Sequence, residues 1–185
     1  MNVSLWTLLT AGAIVALGMP LSVHDSTASS RETLAFRVPG LVRAACQEAA
    51  SIYVVAEYDP SRDPSKDLSR AIERAEAEGK RIIIEVGGQW CSWCHILDAF
   101  VRENKVVARK LRDSFVVLKV NFSSENRNRE FLSRYPRAQG YPHIYVLESD
   151  GSFLHSQPTV ALELGRSYSE VAVISFLDKW APRKE

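Results

Sequence analysis

Cys91 and Cys94 stand two residues apart in the segment Trp90-Cys91-Ser92-Trp93-Cys94-His95. That spacing serves several chemistries. Two thiols can exchange with a disulfide in another molecule, close into an inert bridge, supply half of a zinc site or, with His95 following, attach a c-type haem. Zinc needs two further ligands, and the sequence holds no second Cys-x-x-Cys and no paired-histidine motif. Haem needs a second axial ligand or an open site. Met1 and Met19 are the only methionines and sit in the apolar amino-terminal stretch, which leaves His143 and His155. The haem reading also gives no purpose to the apolar run before the motif or to Tyr141-Pro142 after it. No metal is therefore expected at the pair, and thiol–disulfide exchange is the leading chemistry.

Exchange depends on where the first sulfur lies. At a helix N-terminus, unpaired backbone N–H groups and the helix dipole favour a thiolate. Lowering a thiol pKa from about 8.5 to about 7 raises the thiolate fraction at neutral pH roughly 15-fold. A Brønsted slope of about 0.45 returns roughly a factor of 5 of that in nucleophilicity. The net gain in attack is about 3-fold, so the main benefit is a better leaving group.

The flanking residues predict elements that would place the dithiol there. Arg81 to Val86 reads as a strand, and the consecutive Ile82-Ile83-Ile84 implies that both its faces are covered. A helix is predicted from Ser92 to Arg112, with Ile96, Leu97, Phe100, Val101, Val107 and Leu111 turned inward. Upstream, Asp63-Pro64 supplies an N-cap with proline at the first helical position. Leu68, Ala71, Ile72 and Ala75 recur at helical spacing, and Gly79 ends the segment. A short strand is expected within Ser51–Tyr58. Further strands are expected at Phe115–Val120 and His143–Leu147, with a helix at Glu125–Tyr135 between them. Asp150-Gly151 predicts a hairpin returning through Ser152–Ser156. Ser167 and Glu170 suggest a capping box before a last helix carrying Val173, Ile174, Leu177 and Trp180. Helices between strands imply parallel pairing, and the hairpin adds an antiparallel edge.

The chain has 185 residues, 46% hydrophobic and 24% charged, which suits a globular domain. Its net charge of +1 supplies no global field for nucleic acid. From Val3 to Val23 no residue is charged, so residues 1–28 are expected to be a signal peptide or an N-terminal membrane anchor, with residues 3–23 as the tether. Ser26-Thr27-Ala28 offers small side chains for cleavage, and Ala16-Leu17-Gly18 is a second candidate; no Lys or Arg precedes the apolar run. Residues 29–56 read as a linker and 57–185 as the domain. Cys46, the odd cysteine, reads as a buried apolar residue rather than a redox partner.

The segment from Arg81 through Glu85-Val86-Gly87-Gly88-Gln89-Trp90 to Cys94 resembles the active-site strand and loop of the thioredoxin superfamily. It is most similar to exported thioredoxin-like domains, including the C-terminal domain of bacterial thiol:disulfide interchange proteins. The resemblance runs over residues 57–180, and Gly140-Tyr141-Pro142 matches the family's cis-proline loop facing the dithiol. It implies an α/β thioredoxin-like fold, a central mixed sheet flanked by helices, and a thiol–disulfide oxidoreductase of reductase or isomerase type. Cys91 would then be the nucleophile and Cys94 the resolving thiol. Glu85 would replace the family's buried aspartate as proton relay to Cys94. Pro142 would bar metal capture, Tyr141 would offer its backbone to an extended substrate, and Trp90 and Trp93 would rim the sulfurs. Ser92-Trp93 differs from the Gly-Pro of thioredoxin, so the potential does not transfer. The implied partners are protein thiol or disulfide substrates and a redox partner, with no cofactor beyond the disulfide. Export points to the bacterial periplasm. The alternative is a client-binding or chaperone module on the same fold, without redox turnover.

Overall fold

The computed structural model describes residues 51–183. The expectations of a signal or anchor at 1–28 and of a buried Cys46 lie outside the described residues, as does most of the linker.

Asp63 caps the first helix, α1 (Pro64–Glu78), by accepting from the Ser65 and Lys66 amides. Gly79 closes it at φ 63°, a left-handed conformation that glycine adopts without a Cβ penalty. Strand β1 (Tyr53–Val55) precedes α1, so the sheet takes in residues ahead of position 57. β2 (Arg81–Gly87) follows α1 and runs beside β3 (Phe115–Asn121), parallel and in continuous register from Arg81↔Phe115 to Gly87↔Asn121. β1 pairs parallel to β3 on its far side. β4 (His143–Leu147) is antiparallel to β2, and β5 (Phe153–Pro158) antiparallel to β4. The sheet order is β1-β3-β2-β4-β5, the mixed sheet that the alternation of elements implied.

Between β2 and β3 the expected single helix is two: α2 (Ser92–Glu103) and α3 (Lys105–Ser114). Asn104 causes the break. Its backbone N–H closes α2 on Phe100 O, and its side-chain oxygen accepts from the Val106 and Val107 amides to start α3. The expected helix at 125–135 shrinks to one turn, α4 (Arg129–Leu132), because Asn128 sits at φ 44° and Pro136 follows closely. After β5, a 3-10 turn (Thr159–Leu162) leads to a two-stranded ribbon, β6 (Glu163–Leu164) and β7 (Ser167–Tyr168). Ser167 is therefore a strand residue. The cap of the last helix, α5 (Glu170–Trp180), is Ser169, whose hydroxyl accepts from the Ala172 amide.

Two apolar layers cover the sheet. On one side Ala71 and Ala75 of α1 and Phe131 of α4 pack with Ile82, Ile84, Val86, Val116, Leu118 and Val120. On the other, Leu97, Val101, Val107, Leu111 and Leu177 from α2, α3 and α5 pack with Ile83, Val117 and Ile144. Each fully buried aliphatic side chain contributes about 1.5–3 kcal/mol. Among the described residues no helix is long and apolar enough to cross a membrane.

Candidate active site

The dithiol lies where β2 hands over to α2. Cys91 is the N-cap of α2, and its Sγ accepts from the Cys94 amide at 3.2 Å. Sulfur thus takes the place of the usual capping oxygen, where the free amides and the helix dipole favour negative charge. Cys94 follows one turn on, and the two sulfurs are bonded to each other with Cα atoms 5.3 Å apart. Cys91 is 4% exposed and Cys94 fully buried, so an incoming group would meet Cys91 first. His95 faces outward, its Nε2 2.8 Å from the Gln89 carbonyl oxygen.

The predicted aromatic residues divide between two sides. Trp90 is 58% exposed, donates from Nε1 to Phe122 O at 2.7 Å, and meets Tyr141 edge-on at 5.6 Å. Trp93 packs against the sulfurs and meets Tyr168 edge-on at 5.6 Å. Tyr141 packs against the Cys91–Cys94 pair and stacks on Phe122 at 4.8 Å. The Tyr141–Pro142 peptide is cis, and Pro142 O accepts from Thr159 Oγ1 at 2.6 Å. That carbonyl is already engaged within the chain.

Beneath the dithiol is a buried polar chain. Glu85 is 4% exposed and accepts from the Tyr58 hydroxyl. Lys119 stands beside Glu85 in the parallel register, pairs with Asp98 of α2, and lies over the Tyr58 ring at 5.0 Å. Burial pushes the Glu85 carboxyl up from 4.5 to about 7; the Lys119 charge opposes this, the Asp98 charge adds to it, and the Tyr58 hydrogen bond opposes it. The Tyr58 hydroxyl is held well above its ordinary value by its own burial and then by the Glu85 charge and hydrogen bond. Gly87 makes room for the junction. A Cβ there would overlap Cys94 Sγ and come within 2.9 Å of the Tyr58 ring and hydroxyl, so no larger residue fits without displacement.

The structure therefore packs Trp93 and Tyr141 against the Cys91–Cys94 disulfide, brings Trp90 in through Tyr141 and Pro142 as the cis neighbour of Tyr141, and links Glu85 to the sulfurs through Tyr58. Tyr58, Lys119 and Asp98 were not singled out from sequence. Lys119 alone had a signal there: a charged residue inside an otherwise apolar strand, FVVLKVN. Among the described residues, no group of three or more His, Cys, Asp or Glu could hold a metal ion.

A mixed sheet with a dithiol at the strand-to-helix junction and a cis-proline loop beside it is a thioredoxin-like fold, and residues 63–149 match a family described as thioredoxin-like. The domain resembles part of the thiol:disulfide interchange protein DsbD of Pseudomonas fluorescens, 29% identical over 116 residues, or 62% of this chain and 18% of that protein. An uncharacterised protein of Caenorhabditis elegans is 37% identical over 71 residues, 38% of this chain and 10% of its own. The chain thus spans less than a fifth of either relative. In fold it is similar to a disulphide isomerase from Xylella fastidiosa Temecula1, with a TM-score of 0.57 at 24% identity, covering 66% of this chain and 94% of that one.

Proposed function

We propose that the protein is an exported thiol–disulfide oxidoreductase acting on polypeptide substrates. One observation carries the reading: a disulfide whose outer sulfur caps a helix while both sulfurs pack with Tyr58, the donor to a buried carboxyl, Glu85, that burial pushes up to about 7. In the reducing direction the Cys91 thiolate attacks a substrate disulfide and expels one substrate thiolate, leaving a mixed disulfide. Cys94 then gives its proton to Glu85, directly or through Tyr58, and attacks Cys91 Sγ. The second substrate thiolate leaves and the Cys91–Cys94 bond forms. Two electrons pass from dithiol to substrate, so no metal or organic cofactor is required. The reverse sequence donates the disulfide. Tyr141 offers backbone to the substrate, and Trp90 and Trp93 bound the sulfurs. The mutual pairing of the two sulfurs favours exchange over haem attachment, which would consume both. The uncharged run at residues 3–23 supports export, with the periplasm as the compartment and a separate thiol protein as the recharging partner.

The test is the redox equilibrium of the purified chain in glutathione buffers, read by thiol alkylation and mass. A potential near about −270 mV marks a reductant and one near about −120 mV an oxidant. A pair that stays oxidised in every buffer is structural, and the proposal falls.

A further inference from the structure

Beside the dithiol, on the far side of Tyr141, a cleft of about 510 Å³ opens between the β3–α4 loop and the cis-proline loop. Phe122, Tyr135 and Tyr141 form its walls, and Arg127, Arg129 and Arg137 stand around it. The walls are braced. Tyr141 stacks on Phe122 at 4.8 Å, and Tyr135 on Tyr145 at 5.0 Å. Asparagines fix the arginine-bearing loop: Asn128 Nδ2 donates to Asn121 O at 2.7 Å, Asn121 Nδ2 to Asn126 O at 2.8 Å, and Asn126 Nδ2 to Pro60 O at 2.9 Å. The loop is therefore held in one shape, with Arg127 and Arg129 on either side of the left-handed Asn128.

Charge here is one-sided although the whole chain is nearly neutral. Residues 123–140 contain Arg127, Arg129, Arg134 and Arg137 against Glu125 and Glu130 only. Among the described residues none of these arginines forms an ion pair. The charges of Arg137 and Arg127 also both reach the Tyr141 hydroxyl, offsetting part of the rise that its burial causes. Two guanidiniums therefore bear on the ring that touches the disulfide.

We propose that this cleft receives an acidic side chain of the substrate polypeptide, so that the protein selects disulfides whose cysteine lies close to Asp or Glu. The inference rests on the exchange reading and adds its substrate class. Aromatic walls take the methylenes of Asp or Glu, and the arginines take the carboxylate by charge-assisted hydrogen bonds.

The test uses the reduced full chain and peptides carrying Glu, Ala or Lys beside one cysteine, each as its mixed disulfide with thionitrobenzoate. Cys91 attacks the peptide sulfur, thionitrobenzoate leaves and is read by absorbance, and Cys94 then releases the peptide thiol. The Glu peptide is expected to react about 10-fold faster than the Lys peptide at low salt, the ratio shrinking as salt rises. The Arg127→Glu/Arg137→Glu double variant should invert the order, while Lys179→Ala, remote on α5, should keep it. Equal Glu and Lys rates, or a Glu preference that survives the double variant, would overturn the proposal. A second measurement separates this from failure of the exchange reading. Fluorescence anisotropy with the Cys91→Ser chain and peptides bearing serine for cysteine should show tighter binding of the Glu peptide. If no peptide is reduced, exchange falls, and the anisotropy still decides the cleft: equal Glu and Lys affinities there sink it.

Discussion

The two faces of β2 are built to opposite rules. On the α1 side its residues are Ile82, Ile84 and Val86, all fully buried in an apolar layer. On the α2 side the alternate positions change character along the strand: Ile83 packs in the second core, Glu85 carries a buried carboxyl, and Gly87 has no side chain, so that Cys94 and Tyr58 can close over it. One face is uniform and serves stability. The other grades from apolar to acidic to empty toward the carboxyl end of the strand, the end where open α/β sheets place their sites. Period-two alternation lets one strand do both, because a change on one face leaves the side chains of the other in place. Stability and chemistry should therefore separate by mutation.

The sharpest contrast comes from Cys91→Ser. A hydroxyl forms no mixed disulfide, so exchange should vanish in an insulin-reduction assay while the thermal midpoint shifts only by the loss of the bridge. Cys94→Ser should instead trap the mixed disulfide, detectable by mass. The converse change is Ile84→Ala on the apolar face. It empties a fully buried site, and urea unfolding should show a loss of about 2–5 kcal/mol. The exchange rate of the folded fraction should stay near that of the parent chain. A large kinetic effect from Ile84→Ala would break the division between the faces.

Much of this division was legible beforehand. Ile82-Ile83-Ile84 announced a strand covered on both sides, and Cys91 after a strand and before a helix announced the capping sulfur. Asp63, Gly79 and the Asp150-Gly151 turn each bounded the element they signalled. The failures share a cause. Apolar spacing from Leu97 to Leu111 carries on across Asn104, so period alone could not see a residue that ends one helix and starts the next. Phe131, Leu132 and Tyr135 keep helical spacing although their segment makes a single turn, since Asn128 and Pro136 limit it. Tyr58 gave no signal because its role depends on Glu85, 27 residues away in the chain, a contact that only the folded sheet creates.

Glu85 is where the two rules conflict, and Glu85→Gln measures the conflict. In the folded, bridged chain the carboxyl is raised from 4.5 to about 7, so between those values the native state holds a proton that the unfolded state releases. Its contribution to stability is therefore fully present below about pH 4.5, is lost as pH rises through about 7, and levels off above. Denaturation of the oxidised chain should show this fall as the difference between parent and Glu85→Gln, about 3 kcal/mol between the two ends of the window. Glu85→Gln cannot ionise, so it should keep only the rise with pH due to His143, an imidazole that burial and the His155 charge push down from 6.5 to about 4, and it should be the more stable protein at about pH 8. The same variant should slow the resolving step, which lengthens the life of the mixed disulfide. A variant that unfolds in parallel with the parent at every pH would show that Glu85 is not the buried acid of this site.

Tyr58→Phe should have the smallest effect and the narrowest meaning. The substitution keeps the ring over which Lys119 lies at 5.0 Å and beside which the two sulfurs pack. It removes only the hydroxyl that donates to Glu85. That bond stabilises the ionised carboxylate, so its loss should raise the Glu85 titration further, by about one pH unit, or about 1.4 kcal/mol. The drop in stability with rising pH should therefore begin at the same pH in both chains but continue to higher pH in the variant than in the parent, and the pH dependence of the resolving step should move upward as well. Combining Tyr58→Phe with Glu85→Gln gives the decisive control. With no carboxylate left to titrate, the hydroxyl should no longer move any pH profile, and a shift that persists in the double variant would assign the titration to another group. If the single and double variants agree with this pattern, Tyr58 is a positioning residue that acts through Glu85. The graded face of β2 then extends to a residue from the segment between β1 and α1, the Tyr58 ring that packs with the sulfurs and whose hydroxyl holds the carboxyl.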